Sequence, residues 1–197
     1  MGGLFLKIVA SHSICVLTDS EEEAMNTSIA IEKVGVERLD TALYLLQRFF
    51  SKEGFHTPEE EMRSSLRTML TSPESAVFLA WRGGEAVGVA TVTTSVGIEY
   101  GRSAELEDLY VLPEARGRGV AGALIEAVCC WCDQQGCTTV LVTVAAEGEA
   151  AHELIAFYRK RGFANTGRII LERSLHPLKA CLPVGTQHSY MHQKAEK

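Results

Sequence analysis

The segment Arg116–Ala121 reads Arg-Gly-Arg-Gly-Val-Ala and lies between a predicted strand, Ala104–Leu112, and a predicted helix, Val120–Gln134. Its small residues leave the backbone uncovered, so several N–H groups can converge where the helix begins. The first turn of a helix has unpaired N–H donors and the positive end of the helix dipole, which suits a phosphate. The two arginines add positive charge beside these donors. The segment therefore predicts a site for a ligand that carries a pyrophosphate.

The same region also satisfies the dinucleotide-binding pattern G-x-G-x-x-G, over Gly117–Gly122. In a dinucleotide-binding fold the glycines follow the strand directly, and an acidic residue stands about 20 positions further on, at the end of the next strand. Here Pro113–Ala115 separate the strand from the glycines, and the next predicted strand, Thr138–Val144, carries no acid. The spacing disfavours a dinucleotide cofactor.

A second pattern, R/Q-x-x-G-x-G/A, is met by Arg116, Gly119 and Ala121. Together with the apolar strand before it and the later segment Ala156–Phe163, it resembles the acetyl-CoA loop and late helix of the GNAT superfamily of N-acetyltransferases. The strong resemblance covers residues 103–175, and a weaker one reaches back to residue 29. It implies acetyl-CoA as co-substrate. The binding residues that it implies are Leu109, Tyr110, Val111, Arg116, Gly117, Arg118, Gly119, Val120 and Ala121.

Three acids stand on the strand that leads into this loop: Glu105, Glu107 and Asp108. If acetyl-CoA is the donor, an acceptor amine must first lose a proton, because an unperturbed alkyl amine has a pKa of about 10.4. A carboxylate near the end of the strand can take this proton, directly or through water. Strand alternation puts Glu105 and Glu107 on one face with Leu109 and Val111, and Asp108 on the other face unless a bulge intervenes.

The resemblance assigns roles to two of these acids. Glu105 stands where the histone-acetylating branch carries its base, and Glu107 where some aminoglycoside-acetylating branches carry an acid. The alternative is that both are solvated acids of an exposed strand. Both remain candidates for the base, with Glu107 first because it lies nearer the expected thioester. The family also implies that a bulge or splay in this strand opens the sheet to admit the pantetheine arm.

Tyr158 resembles the tyrosine with which this family hydrogen-bonds the departing sulfur, so it is the candidate acid. The alternative is a helix tyrosine packed on the core with its hydroxyl at the edge. Many relatives carry an asparagine seven residues earlier that holds the pantetheine arm, and Ala151 stands there in this chain. No nucleophilic triad emerges from the sequence, which favours direct transfer without an acetylated enzyme.

The acceptor site of this family forms between the first two helices and the strands that face the cofactor. The candidate substrate-binding residues in that region are Glu53, Phe55, Glu99 and Asp108. Clustered carboxylates with apolar walls suit a small cationic amine, such as an aminoglycoside antibiotic or a polyamine. A lysine or N-terminal amine of a protein is the alternative acceptor, and a non-catalytic CoA-binding module is the alternative from another class. A homodimer is left open.

Charge is divided between the two halves of the chain. Residues 1–108 carry 17 acids and 9 bases, whereas residues 109–197 carry 8 acids and 10 bases. The acidic half argues against a nucleic-acid partner. No apolar run approaches the roughly 20 residues that span a bilayer, so no membrane partner is expected. The cysteines lack the ligand spacing of a zinc site, so no metal is predicted, and a thiol-rich helix indicates a reducing, cytoplasmic location.

Hydrophobic periodicity and turn signals predict the element order β-α-α-β-β-β-α-β-α-β. The fold class is therefore α/β or α+β with a mixed sheet. The family resemblance implies that this central sheet is mostly antiparallel, flanked by helices and splayed at the acetyl-CoA strand. Residues 1–24 are predicted to be an N-terminal extension, residues 25–175 the acetyltransferase domain and residues 176–197 a loose C-terminal tail. The predicted closing strand is Arg168–Leu175.

Overall fold

The computed structural model describes residues 28–145, 153–171 and 173. The predicted N-terminal extension and C-terminal tail lie outside the described residues. Within the described part of the chain, no helix is both long enough and apolar enough to cross a membrane.

Five strands form one sheet in sequential order. They are β1 (Ile29–Val34), β2 (Ser75–Arg82), β3 (Glu85–Gly97), β4 (Gly101–Val111) and β5 (Thr139–Val142). The first four strands pair antiparallel, and β5 pairs parallel to β4. The mixed, mostly antiparallel sheet predicted from the sequence is confirmed.

In the part of the chain that the structure describes, the helices that flank the sheet are α1 (Leu39–Glu53), α2 (Glu59–Thr71), α3 (Val120–Gln134) and α4 (Leu154–Arg159). Short 3₁₀ turns precede α1 at Val36–Arg38 and the glycine-containing loop at Pro113–Ala115. Helix α1 ends where Gly54 adopts a left-handed conformation, with φ of 79°. Its chain therefore turns sharply into the segment that leads to α2.

The start of α3 is fixed by close packing on the sheet. Val120, Leu124 and Ile125 are buried against it, and a Cβ atom on Gly88 of β3 would lie 3.1 Å from Leu124 Cδ1 and 3.1 Å from the Tyr110 carbonyl oxygen. Only a glycine lets the helix approach β3 this closely. The N-terminus of α3 is thus held in a fixed position beside the end of β4.

Strands β4 and β5 separate beyond their first few residues. Their ladder runs from Ser103 opposite Thr139 to Leu106 opposite Val142. Strand β4 continues to Val111, so its last five residues have no partner in β5. This separation confirms the splay predicted at the acetyl-CoA strand.

The predicted closing strand, Arg168–Leu175, is wrong for the residues that the structure describes. Residues 168–171 belong to no strand, and Ile169 and Leu171 are almost fully exposed. The apolar residues of this segment resemble a buried strand in sequence, but a strand also needs a neighbour for its backbone groups. Arg168 instead binds Glu99 and stacks on Tyr100.

Candidate active site

The loop before α3 has an unusual backbone at its two glycines. Gly117 has φ of 71° and Gly119, the residue that caps α3, has φ of 84°. An L side chain rarely adopts such values, which explains the choice of glycine at both positions. A Cβ atom at either glycine would meet nothing within 4 Å, so open space lies beside the turn. The turn is thus shaped by its backbone and leaves room for a ligand.

The first turn of α3 offers unpaired backbone donors to that space. No side chain caps the helix, and the N–H group of Ala123 donates to the Gly119 carbonyl at 3.0 Å. The N–H groups of residues before Ala123 precede the first bonded turn of the helix. Together with the helix dipole, they form a site for an anion, so these residues fit the diphosphate of CoA.

Two strand residues offer backbone groups to the separated edge of β4. The N–H group of Leu112 donates to the Val87 carbonyl in β3, at 2.9 Å. Because neighbouring residues of a strand direct their backbone groups to opposite edges, those of Leu109 and Val111 face away from β3, and those of Tyr110 face β3. Of the three residues predicted to bind acetyl-CoA through their backbone, Leu109 and Val111 therefore direct their backbone groups to the open edge of β4, and Tyr110 directs its own toward β3.

Arg116 is held against the end of the same strand. Its Nε donates to the Val111 carbonyl at 3.0 Å, and its guanidinium carbon lies 5.9 Å from the centroid of the Tyr110 ring. Arg118 is exposed in the turn that contains Gly117 and Gly119, which we call the glycine turn. Neither arginine takes part in an ion pair found within the described residues. Both charges therefore remain available to an anionic ligand.

A β-bulge interrupts the ladder between β3 and β4 at Glu107. Thr91 pairs with Asp108 and Val92 pairs with Leu106, so Glu107 has no partner of its own. A bulge of one residue reverses the alternation of the side chains that follow it. The family resemblance implied a bulge or splay in this strand, and the predicted face of Asp108 was conditional on a bulge, but the sequence did not place the bulge at Glu107.

The bulge collects three carboxylates on one face of the sheet, which we call the carboxylate face (Glu105, Glu107 and Asp108). Glu105 is the register partner of Thr93, and the Thr93 hydroxyl donates to Oε1 of Glu107. The Thr91 hydroxyl donates to Oδ2 of Asp108 at 2.6 Å. Because Thr91 and Thr93 lie on the same face of β3, their three acidic partners share that face.

The bulge also corrects the predicted positions of Leu109 and Val111. Alternation without a bulge placed both on the face of Glu105 and Glu107. In the structure Leu109 and Val111 pair with Ala90 and Gly88, and Gly88 faces α3. Both apolar side chains therefore lie on the opposite face of the sheet from the acids.

Two residues of the carboxylate face, Glu107 and Asp108, have a raised pKa. Burial raises the pKa of Asp108, and the hydrogen bond from Thr91 opposes this only in part. Partial burial is also the main cause that raises the pKa of Glu107, with the charges of Glu105 and Asp108 adding to it and the Thr93 hydrogen bond opposing it. A carboxylate with a raised pKa is a stronger base, as a proton acceptor requires.

The two threonines of β3 were missed by the sequence analysis, although a signal was present. Thr91 and Thr93 alternate with Val92 directly after the apolar run Ala86–Ala90, and Thr91 is fully buried. Polar residues at every second position of a buried strand indicate partners on one face. Thr143, after β5, was missed as well, and its hydroxyl donates to Oε1 of Glu105 at 3.0 Å.

Aromatic rings of α1 and its following loop lie beside the carboxylate face. The ring of Tyr110, two residues beyond Asp108 on the same face, lies 5.6 Å from that of Phe49. Phe55 lies 6.5 Å from Phe49 between ring centroids. Glu53 stands one helical turn after Phe49 and hence on the same side of α1. Phe55 and, by helical spacing, Glu53 therefore lie beside Phe49, which packs near the ring of Tyr110.

A cavity of about 210 Å³ opens next to these rings, between the end of α1 and the start of α2. Phe50 and Phe55 form its apolar wall, while His56 and Glu59 add polar groups. The sequence analysis had placed the acceptor between the first two helices.

Glu99 is the one predicted substrate-binding residue that the structure does not bring to the site. It lies in the turn between β3 and β4, where Gly97 pairs with Gly101. Six residues of strand separate Gly101 from Glu107, which is about 20 Å at the rise of a strand. Its carboxylate instead accepts a hydrogen bond from Arg168 at 2.5 Å. Its sequence proximity to the other acids was misleading because β4 is extended.

Tyr158 is buried in α4, and its ring packs edge-on against Phe157 and Phe163. Burial raises the pKa of its hydroxyl, and the charge of Arg161 opposes this shift. The core packing predicted as one alternative for Tyr158 is therefore observed. Its role as the acid stays a prediction.

Two thiols of α3, those of Cys129 and Cys132, are poorly suited to nucleophilic catalysis. Cys129, Cys130, Cys132 and Cys137 are free thiols. Burial raises the pKa of Cys132 to about 12 and also raises that of Cys129, and a thiol rather than a thiolate is a weak nucleophile. Within residues 28–145, 153–171 and 173, no cluster of three or more potential ligands is arranged for a metal ion.

Comparison with known proteins identifies the family. Residues 39–163 match the acetyltransferase (GNAT) family, and the chain belongs to it. The chain is therefore an N-acetyltransferase of a family that uses acetyl-CoA. The resemblance proposed from Arg116, Gly119 and Ala121 is confirmed.

Individual relatives are aminoglycoside acetyltransferases. The chain is 36% identical to an aminoglycoside N(6')-acetyltransferase type 1 from Stenotrophomonas maltophilia, over 59% of this chain and 74% of that protein. It is 32% identical to the protein of the same name from Serratia marcescens, over 51% of this chain and 80% of that protein. A crystallised aminoglycoside N-acetyltransferase in complex with CoA shares the fold, with a TM-score of 0.65 and 24% identity over 76% of this chain and 96% of that one.

Proposed function

We propose that this chain transfers an acetyl group from acetyl-CoA to a primary amine of a small cationic acceptor, such as an aminoglycoside antibiotic. The observation that carries the proposal is the bulge at Glu107, which gathers three carboxylates on one face at the point where β4 and β5 separate. A face of this kind attracts and binds ammonium groups. The names of the relatives support the 6'-amine as the acceptor atom.

Glu107 is the proposed base. Its pKa is raised by partial burial and by its acidic neighbours, so it holds a proton more tightly than an ordinary carboxylate. The Thr93 hydroxyl fixes one of its oxygens by a hydrogen bond, which orients the other. Glu105 is the second candidate, but its Oε1 accepts a hydrogen bond from Thr143 beside β5. We assign to Glu105, Asp108 and Glu53 the binding of the acceptor's ammonium groups, with Phe55 as an apolar wall.

Tyr158 is the proposed acid. Burial keeps its hydroxyl protonated at neutral pH, so that it can donate to the departing thiolate. Leu109 and Val111 offer backbone groups at the separated edge of β4, where they would bind the pantetheine arm. The glycine turn and Arg116 would hold the diphosphate. When bound, acetyl-CoA supplies an acyl group activated as a thioester.

Direct transfer in a ternary complex is the proposed route. The protonated, buried Cys132 argues against a covalent acetyl-enzyme. The four free thiols of α3 and its following turn also support the proposal that the protein works in the cytoplasm, where thiols stay reduced. There, acetylation of an aminoglycoside would confer antibiotic resistance. We also propose residues 25–175 as the extent of the catalytic domain.

A panel of amines tests the acceptor class. CoA-thiol release would be measured with two aminoglycosides that differ only in a 6'-amine or a 6'-hydroxyl, with a polyamine, and with peptides that offer a lysine or an N-terminal amine. We expect turnover with the 6'-amine compound and its loss with the 6'-hydroxyl compound. Turnover with a peptide but with no aminoglycoside would overturn the small-acceptor proposal, and CoA binding without any turnover would favour a non-catalytic module.

A further inference from the structure

The helix that carries Tyr158 is too short to fix its own position. Helix α4 has six residues, Leu154–Arg159, whereas an isolated helix of fewer than about 12–15 residues is marginal in water. Its orientation therefore depends on tertiary contacts, and the position of the Tyr158 hydroxyl depends on the same contacts. Arg161, two residues after the end of the helix, supplies one of them.

The Arg161 guanidinium is bound to α4 itself. Its Nη1 donates to the Phe157 carbonyl at 2.8 Å, and its guanidinium carbon lies 3.7 Å from the centroid of the Phe157 ring. The backbone N–H group of Arg161 donates to the Tyr158 carbonyl at 2.9 Å. A planar guanidinium suits this arrangement, because it stacks on aromatic faces and donates from a rigid fork. The side chain is therefore held in a defined position on α4.

The Nε–Nη2 edge of the same guanidinium lies against the first turn of α3. A Cβ atom on Gly122 would be 3.3 Å from Arg161 Nη2 and 3.4 Å from Arg161 Nε, which is tighter than most real contacts. A glycine inside a helix is less favourable than alanine by about 1 kcal/mol. The close approach of Arg161 is a physical reason for glycine at this position. Arg161 thus packs α4 directly against α3.

The contacts continue from the guanidinium to Tyr158. The centroids of the Phe157 and Tyr158 rings are 5.2 Å apart, with an angle of 81° between the ring planes. Burial raises the pKa of the Tyr158 hydroxyl, and the charge of Arg161, the one charged group of the described residues that acts on this hydroxyl, opposes the shift. A nearby positive charge favours the phenolate that remains when the proton leaves.

We propose that Arg161 is a positioning residue for Tyr158, because it fixes α4 on the first turn of α3 and so holds the hydroxyl that protonates the departing thiolate. The proposal rests on the proposed role of Tyr158 as the acid. In that step the amine nitrogen bonds to the acetyl carbon and its proton goes to Glu107. Tyr158 Oη gives its proton to the sulfur as the carbon–sulfur bond breaks with its electron pair on sulfur. The phenolate then regains a proton from solvent.

A double-mutant cycle with Tyr158→Phe tests the proposal. The kcat with an accepted amine and the Kd for CoA would be measured for the wild type, R161M, Y158F and the double variant. Y158F should lower kcat by about 100-fold or more, since a positioned acid contributes about 10²–10⁴-fold. R161M should lower kcat by about 10-fold, a part of that contribution, and leave the Kd for CoA unchanged. In the Y158F background R161M should have no further effect, because the group that it positions is gone.

Two further variants sharpen the cycle. R161K keeps the charge but not the planar fork, so its kcat should lie between those of the wild type and R161M. R159M is the matched control, because Arg159 is exposed at the end of the same helix and takes no part in the contact with Gly122. Its kcat should equal that of the wild type.

A spectroscopic measurement gives a readout without turnover. In protein labelled with ¹³Cζ-tyrosine, the NMR signal that is missing from Y158F belongs to Tyr158. R161M should shift this signal and raise the pKa of the hydroxyl, because loss of the positive charge disfavours the phenolate. R159M should leave the signal in place.

The outcomes separate this proposal from the proposed function. R161M with a wild-type kcat and a wild-type Tyr158 signal would overturn the proposal. So would an equal fall in kcat in the wild-type and Y158F backgrounds, or weaker CoA binding without a fall in kcat. A Y158F enzyme with wild-type kcat would instead contradict the assignment of Tyr158 as the acid, and the positioning role would fail with it.

The variant G122A keeps the test decisive if R161M does not fold. Its added methyl group must displace the guanidinium while every charge is retained. We expect kcat to fall in G122A, with no further fall when G122A is combined with Y158F. Losses that simply multiply would show that Gly122 and Tyr158 act independently and would contradict the proposal.

Discussion

The glycine turn and the carboxylate face meet at the end of β4, but they are built in different ways. The turn comes from one continuous segment, and its properties are those of its backbone: two left-handed glycines and the start of α3. The carboxylate face combines side chains of β4 with hydroxyl groups of β3 and of the segment after β5. In the proposed function the first region binds the same ligand, acetyl-CoA, in every reaction, whereas the second depends on tertiary structure and would vary with the acceptor.

The largest expected effect is a fall in kcat, without a change in CoA binding, when Glu107 of the carboxylate face is replaced. Glu107→Gln should lower kcat by about 100-fold or more, because a positioned general base contributes about 10²–10⁴-fold. Activity should recover as the pH rises toward the pKa of the amine, where the acceptor deprotonates itself. The Kd for CoA should remain that of the wild type. Steady-state kinetics across pH, with calorimetry for CoA, provide the measurement.

The matched control for this variant is Glu85→Gln, in the β2–β3 hairpin and away from the site. It should leave both kcat and the pH profile unchanged. A Glu107→Gln enzyme with a wild-type pH profile would remove Glu107 from the mechanism, and the same measurement on Glu105→Gln would then test the second candidate.

Arg116→Ala should produce the opposite pattern. Removing the guanidinium eliminates a charge beside the turn and the hydrogen bond that holds the Val111 carbonyl. We expect the KM for acetyl-CoA to rise by about 10-fold or more, on the scale of hydrogen bonds to charged groups, with a small change in kcat. Steady-state kinetics with acetyl-CoA as the varied substrate measure this. A large fall in kcat with an unchanged KM would place Arg116 with the chemistry instead.

A pair of glycine variants tests whether the turn acts through its backbone. Gly119 and Gly84 have φ of 84° and 80°, and a Cβ atom at either would meet nothing within 4 Å. Each change to alanine should therefore cost about 1–2 kcal/mol of stability, from the left-handed conformation alone. Only Gly119→Ala should weaken CoA binding, by about 5- to 30-fold if binding must restore the strained turn. Equal CoA affinities of the two variants would show that the conformation of Gly119 is not used.

The same difference in construction explains what the sequence could predict. The loop was recognisable because Arg116, Gly119 and Ala121 are close in the chain, and their chemistry needs only a strand before them and a helix after them. The shared face of Glu105, Glu107 and Asp108 was not, because it depends on a one-residue bulge whose position is set by pairing with β3. Glu99 illustrates a related limit: it is close in sequence to the other three acids, but it lies in the turn before β4, and the extended strand carries it away from them.

The contact between Arg161, just after α4, and Gly122 of α3 illustrates a further limit of sequence patterns. The approach of Arg161 to Gly122 depends on how the end of α4 packs beside α3, and no pattern within one segment records that contact. The predicted strand at Arg168–Leu175 failed because local apolar composition does not say whether a neighbouring strand is present.

The smallest expected effect is a change in the free energy of unfolding when Asp108 of the carboxylate face is replaced. Burial raises the pKa of Asp108 above its unfolded value of about 3.9, so the ionised form at neutral pH costs stability. Asp108→Asn should raise the free energy of unfolding at pH 7, since its amide oxygen can still accept from Thr91. The gain should shrink as the pH falls toward the unfolded pKa, where the folded and unfolded wild type both hold the proton.

Urea unfolding from neutral pH down to about pH 4 measures this gain, with Asp133→Asn on the exposed end of α3 as control. A gain that does not depend on pH, or a loss of stability at pH 7, would contradict the assignment of a strained, buried carboxylate. In that case the effect of changing an acid would no longer be explained by its charge, in contrast to the glycine variants, whose effects come from backbone conformation.

Calorimetric titration of the purified protein with CoA tests the central claim most directly. The geometry of Gly117, Gly119 and the first turn of α3 predicts exothermic 1:1 binding that weakens as the salt concentration rises, because phosphates and arginines are screened. Folded protein that binds no CoA under these conditions would contradict the assignment of this turn to the diphosphate, and the acetyl-transfer mechanism would fail with it.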